Sequence, residues 1–100
     1  MNAPEKIQKT LQKKISASKV EVLDESHLHA GHSEAKSSGG GHYSVVVICE
    51  MFKGKTTLAR HRMVYQALSE ELKTSIHALA IKAYSPEEYR DITSAAYSRS

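Results

Sequence analysis

The chain predicts a small α+β domain in the order helix, strand, strand, helix, strand, helix, with a three-stranded mixed sheet and its helices on one face. Three observations predict this. Apolar residues recur at every fourth position near the start, a nearly unbroken β-branched run sits at the centre, and a second strand-like run follows a helical stretch. One hundred residues make one domain that buries roughly two-thirds of its unfolded surface.

Ile7, Leu11 and Ile15 give the first helix its apolar stripe, while Lys6, Lys9, Lys13 and Lys14 fall largely on other faces, and Pro4 is tolerated in the first turn. This basic start is read as folded structure and not as a transit peptide, because it carries Glu5 and lacks Arg. Val20 to Asp24 alternates at its start and predicts a short strand. The stretch 26–41, with Ser37-Ser38 and Gly39-Gly40-Gly41, predicts a long flexible loop. Tyr43 to Cys49 predicts a central strand buried on both faces, paired antiparallel with the first. Lys53-Gly54-Lys55 turns the chain, and from Leu58 to Leu72 the spacing becomes helical, with His61, Val64, Leu68 and Leu72 on one face. A third strand is expected over Ile76 to Ala83, parallel to the second after a right-handed crossover. Ser85-Pro86-Glu87-Glu88 forms a capping box with Pro at N1, and the last helix is expected to fray over 96–100.

Composition narrows the chemistry. Net charge is +3, from Lys+Arg 14 against Asp+Glu 11, a mild excess that allows salt-sensitive contact with nucleic acid without demanding it. Cys49 is the only cysteine; it excludes an intramolecular disulfide, fits a reducing compartment and leaves no thiolate set for an iron–sulfur or zinc site. No apolar run reaches the roughly 18 residues of a membrane helix. The expected location is the cytoplasm or a mitochondrion, without secretion.

Catalytic motifs are absent. Gly54-Lys55-Thr56 follows a strand and precedes a helix, but Cys49 stands where a phosphate-binding loop needs its first glycine. Cys49 is read as an inert thiol in mid-strand, and Glu70-Glu71 as a solvated helix face. The residues that break the local pattern are basic or imidazole. Arg60-His61-Arg62 lies near a helix start, where cations gain nothing from the dipole. Either His61 faces the core while the arginines hold carboxylates or carbonyls, or the arginines hold an anionic partner. His77 opens a strand, where a fixed backbone can present an exposed imidazole to a metal. His27, His29 and His32 are alternately or closely spaced in the loop, and imidazole suits zinc, copper or nickel.

Together these segments resemble the BolA family: Val22-Leu23-Asp24-Glu25-Ser26-His27-x-His29, His42-Tyr43, Phe52-x-Gly54, Arg60-His61-Arg62-Met63-Val64-Tyr65, Leu68-Ser69-Glu70-Glu71-Leu72 and Ile76-His77-Ala78-Leu79-Ala80. The resemblance runs from Val20 through Tyr89 and implies an α+β fold similar to a class II KH domain. It implies a non-enzymatic adaptor that binds a monothiol glutaredoxin and shares a [2Fe–2S] cluster with it, in cluster maturation or iron regulation. His77 looks like the family's C-terminal ligand histidine and His29 like the loop ligand. The segment after His29 is longer than in that branch of the family and lacks its proline, so His27 and His32 stand as alternatives. The glutaredoxin and bound glutathione would supply thiolates, with Arg60, Arg62 and His61 contacting partner or glutathione. Imidazole in place of thiolate raises a cluster's potential. No cofactor is expected in the isolated chain, which would be a monomer or weak homodimer.

The alternative implied by the resemblance is a transcriptional regulator that binds DNA through Lys53, Lys55, Arg60 and Arg62. Gly54-Lys55-Thr56-Thr57 lacks the second glycine of a KH clamp. A third reading is a zinc binder built on the histidine loop alone.

Overall fold

Asn2 starts the first helix: its Oδ1 accepts the Glu5 N–H at 2.9 Å, which satisfies one of the donors a helix start leaves open. The computed structural model describes residues 2–25 and 41–99. It contains α1 (Ala3–Lys14), β1 (Lys19–Asp24), β2 (Gly41–Ile48), a 3₁₀ turn (Glu50–Phe52), α2 (Thr57–Ala67), α3 (Ser69–Thr74), β3 (Ile76–Tyr84) and α4 (Pro86–Arg99). The long loop expected over 26–41 lies, except for Gly41, outside the described residues.

The sheet order is β1-β2-β3. β1 and β2 pair antiparallel from Lys19 opposite Ile48 to Asp24 opposite Tyr43. β2 and β3 pair parallel, ending with Ile48 opposite Tyr84. At the other end Gly41 pairs with Ile76 but His42 pairs with Ala78, so His77 is an extra residue on β3 at a bulge. Both pairings and the mixed three-stranded sheet are those the periodicities predict.

The core joins Ile7, Leu11 and Ile15 to Val20, Tyr43, Val45, Val47, Phe52, Val64, Ala67, Leu68 and Ile76. Burial along β2 alternates: Tyr43, Val45 and Val47 are buried while His42, Ser44 and Val46 are only half-covered. The expectation of a strand buried on both faces is therefore corrected. The helical layer packs on one face, and β-branched residues reach the other because they suit a pleated surface. Cys49 is not in mid-strand. It follows β2, fully buried, with its Sγ donating to the Ile15 carbonyl at 3.1 Å.

The single helix expected over 58–72 is two. Leu68 stands between α2 and α3 with φ −101° and ψ 19°, and this bend turns the adjacent Ala67 and Leu68 both into the core. Hydrogen bonds still cross the junction, from the Leu68 N–H to Val64 and from the Leu72 N–H to Leu68. α4 begins as predicted. The Ser85 N–H donates to Glu88 Oε1 at 2.8 Å and the Glu88 N–H to Ser85 Oγ at 3.3 Å, a reciprocal capping box.

Gly41 fixes the entry to β2. A Cβ there would lie 2.6 Å from Cε2, Cζ and Oη of Tyr43, whose ring is buried in the core. Gly41→Ala is expected to destabilise the fold by about 1–3 kcal/mol through this clash, seen as a lowered urea midpoint.

Candidate metal and partner site

β3 follows α3 after one residue, and the backbone around His77 is held from both sides. The Ser75 N–H donates to Glu71 O at 2.8 Å and the Gly41 N–H to Ser75 O at 3.1 Å. The bulge then turns the His77 side chain outward, where it is exposed. Bulges commonly re-aim a side chain in this way beside functional sites. A fixed backbone with a solvent-facing imidazole is what a ligand residue requires.

The same bulge brings His42 beside it. The two ring centroids are 5.1 Å apart with the ring planes at 46°. The Glu25 N–H donates to His42 O at 2.7 Å, which anchors this second histidine at the end of β1. Two imidazoles on one tetrahedral metal have centroids roughly 5 Å apart, given metal–nitrogen distances of about 2.0–2.1 Å. The spacing of the two rings is of that order. The sequence singled out His42 only within the His42-Tyr43 segment of the family resemblance. Parallel pairing of two strands that each carry a histidine near the start was the available signal, but the one-residue shift that sets the rings side by side is not legible locally. His29, His27 and His32 lie outside the described residues. Among the described residues no group of three or more His, Cys, Asp or Glu side chains is placed to hold a metal ion, so further ligands at this edge would come from elsewhere.

Of the two readings of the basic triplet, Arg60 follows the one in which an arginine holds carbonyls and a carboxylate, but it is Arg60 and not His61 that turns inward. α2 starts at Thr57, whose predecessor Thr56 caps it through Oγ1 and the Ala59 N–H at 3.1 Å. That phase points Arg60, not His61, at the core; Arg60 is 8% exposed and His61 half-buried. The Arg60 guanidinium donates from Nε to Lys55 O at 2.9 Å and from Nη1 to Ala83 O at 3.0 Å. It also grips Glu88 with two bonds, at 2.6 and 3.1 Å. These bonds hold the Glu88 carboxyl down to about 2, the Arg60 contact first and the Ser85 N–H next.

Arg60 and His77 stand at opposite ends of the sheet. Ala83 is six residues beyond His77 on β3, roughly 20 Å along a strand. Arg60 therefore cannot touch a glutathione whose sulfur lies beside His77. Arg62 is exposed one helix position beyond His61. Of the proposed nucleic-acid set, Lys53 pairs with Glu87 at 3.0 Å, Arg60 is buried, and Lys55 and Arg62 are exposed.

Glu71 corrects the reading of Glu70-Glu71 as a solvated face. Glu70 is exposed, but Glu71 is 4% exposed and its Oε1 has no hydrogen-bond partner among the described residues. An unsatisfied buried oxygen is costly. Glu71→Met is expected to stabilise the fold by about 1 kcal/mol, read as a higher urea midpoint.

Comparison with known proteins agrees with this architecture. The family model described as BolA-like protein matches residues 11–88. The chain belongs to the BolA-like family. This BolA-like chain is 36% identical over 88 residues to the DNA-binding transcriptional regulator BolA of Escherichia coli, covering 88% of the chain and 80% of that protein. It is 37% identical over 87 residues to SufE-like protein 1, chloroplastic/mitochondrial, of Arabidopsis thaliana; the match covers 83% of the chain and 24% of that relative. The chain thus spans about a quarter of SufE-like protein 1. The solved structure of BolA1 from Arabidopsis thaliana superposes with a TM-score of 0.74 at 34% identity, over 88% of this chain and 96% of that one. Among the described residues no helix of the BolA-like chain is long and apolar enough to cross a membrane.

Proposed function

We propose that this BolA-like chain is a non-enzymatic adaptor that binds a monothiol glutaredoxin and supplies His77 to a bridging [2Fe–2S] cluster. The observation that carries the reading is His77 itself: an exposed imidazole on a bulge, backed by fixed backbone and flanked by a second ring. The cluster would supply the redox and transfer chemistry. The chain's own contribution is to present imidazole nitrogen at a fixed edge, with its one thiol buried away from that edge. The glutaredoxin and glutathione would complete the ligand set with sulfur. His42, His29, His27 and His32 are the candidates for a second imidazole. Glutathione contact is carried by groups nearer that edge than Arg60.

The test is reconstitution of iron and sulfide with a monothiol glutaredoxin and glutathione, with and without the chain. The visible absorption and circular dichroism of the cluster are expected to change when the chain is added. Unchanged spectra would overturn the reading.

The Escherichia coli relative, a DNA-binding transcriptional regulator, supports a second reading, DNA binding. Lys53, Lys55 and Arg62 are its exposed cations, Lys53 being paired with Glu87. It predicts duplex affinity that falls steeply with salt and is reduced by Lys55→Ala. No binding at low salt would exclude it.

A further inference from the structure

At the sheet end far from His77, α4 is joined to the rest of the molecule in an unusual way. Among the described side chains of α4, those of residues 86–93, none belongs to the core or packs against it as a partly buried apolar group. Ile92 is 46% exposed. Among the described residues, what holds α4 is mainly polar: the Arg60–Glu88 fork, the exposed Lys53–Glu87 pair, and Tyr89 under Lys19 Nζ at 5.3 Å, beside one ring contact, Tyr84 to Tyr89 at 6.1 Å. Between α4 and the ends of α2 and β3 lies an open cleft of about 410 Å³, lined by Thr57, Arg60, Tyr84, Asp91 and Ile92 among others. A helix with little buried apolar area opens at lower free energy than the core.

Arg60 differs from the other parts of this clasp. Its Nε and Nη1 bonds to Lys55 and Ala83 do not involve α4. If α4 swings away, the guanidinium keeps its position and its planar fork loses its carboxylate. We infer that α4 is a strap closed by its own Glu88 over a preformed carboxylate receptor, Arg60, and that a carboxylate side chain of a partner protein takes Glu88's place when the strap opens. The ligand class follows from the geometry already present: Glu88 binds through both oxygens, at 2.6 and 3.1 Å, and such bidentate pairing is what a guanidinium fork selects. This receptor is separate from the His77 edge and does not depend on the cluster reading.

The experiment uses the full chain and its Glu88→Ala variant. In wild type, hydrogen exchange of α4 amides is expected to be at least tenfold faster than that of β2 amides, and to quicken with added sodium chloride. Glu88→Ala is expected to speed α4 exchange at least another fivefold while β2 is unchanged. Acetate titrated into Glu88→Ala should shift the Arg60 Nε–H resonance to a plateau; sodium chloride at equal ionic strength should not, nor should acetate in wild type. Exchange of α4 and β2 with one common opening free energy would overturn the strap. An Arg60 resonance indifferent to acetate in Glu88→Ala, or responding equally to chloride, would overturn the receptor. Lys53→Ala checks the partition: α4 exchange should rise and the Arg60 resonance should stay put, whereas a moved resonance would contradict an independently anchored fork.

Discussion

His77→Ala is expected to weaken the cluster shared with a monothiol glutaredoxin at least tenfold, read as the chain concentration needed to reach half of the change in visible circular dichroism. Loss of even a supporting contact to a metal ligand typically costs tenfold or more, and His77 would be the ligand itself. The fold should be untouched. The side chain is exposed, and the bonds that fix this edge run through backbone at Gly41, Ser75 and Glu71, so the urea midpoint is expected to hold. His42→Ala tests the neighbouring ring 5.1 Å away. If His42 is the second imidazole, its loss approaches the His77 effect and exceeds that of His29→Ala; the reverse order assigns the loop residue. A His77→Ala protein that forms the shared cluster as readily as wild type would leave the adaptor reading without its chemistry.

Arg60→Leu is expected to give the largest loss of stability among the polar substitutions, about 2–4 kcal/mol, measured by urea unfolding. Leucine can fill part of the volume, but the carbonyls of Lys55 and Ala83 lose a charged donor. Arg60 also lies over the Phe52 ring at 5.9 Å, so the variant uncovers part of a fully buried aromatic. The Glu88 tie adds a pH signature. Because the folded-state carboxyl is lowered to about 2, its contribution is complete above the ordinary glutamate range and is lost as pH falls from that range through about 2. The stability gap between wild type and Arg60→Leu should therefore narrow in acid over that window. A gap that stays constant down to pH 2 would show that Glu88 contributes nothing through Arg60.

The histidine edge was half legible. A strand with His77 second in line could be read from the run Ile76 to Ala83, and the expectation that His77 is a ligand came from the family resemblance. The partner ring at His42 could not be read, because it depends on a register shift between strands whose leading residues, Gly41 and Ile76, are 35 apart. Arg60 shows the opposite failure. Apolar periodicity assigns inward positions by hydrophobicity, so it favoured His61 over a neighbouring arginine. The true phase is set by the Thr56 cap, and the inward charge is tolerated because three carbonyl or carboxylate groups from positions 55, 83 and 88 converge on it. Glu71 was read as solvated for the same reason. The bend at Leu68 was invisible because each half of that helix is locally regular and only packing against the sheet decides where it breaks.

Apart from the split of the long helix, the sequence alone determined the element order, the capping of α4 and the strand pairings, because these follow from periodicity, turn chemistry and cap residues. Tertiary structure decided which charged side chains turn inward, where the long helix bends, and that the imidazole edge and the Arg60 clasp occupy opposite ends of one sheet. Those outcomes depend on partners that meet only after the chain has folded, and a buried charge or a shifted register has no signature in the residues beside it.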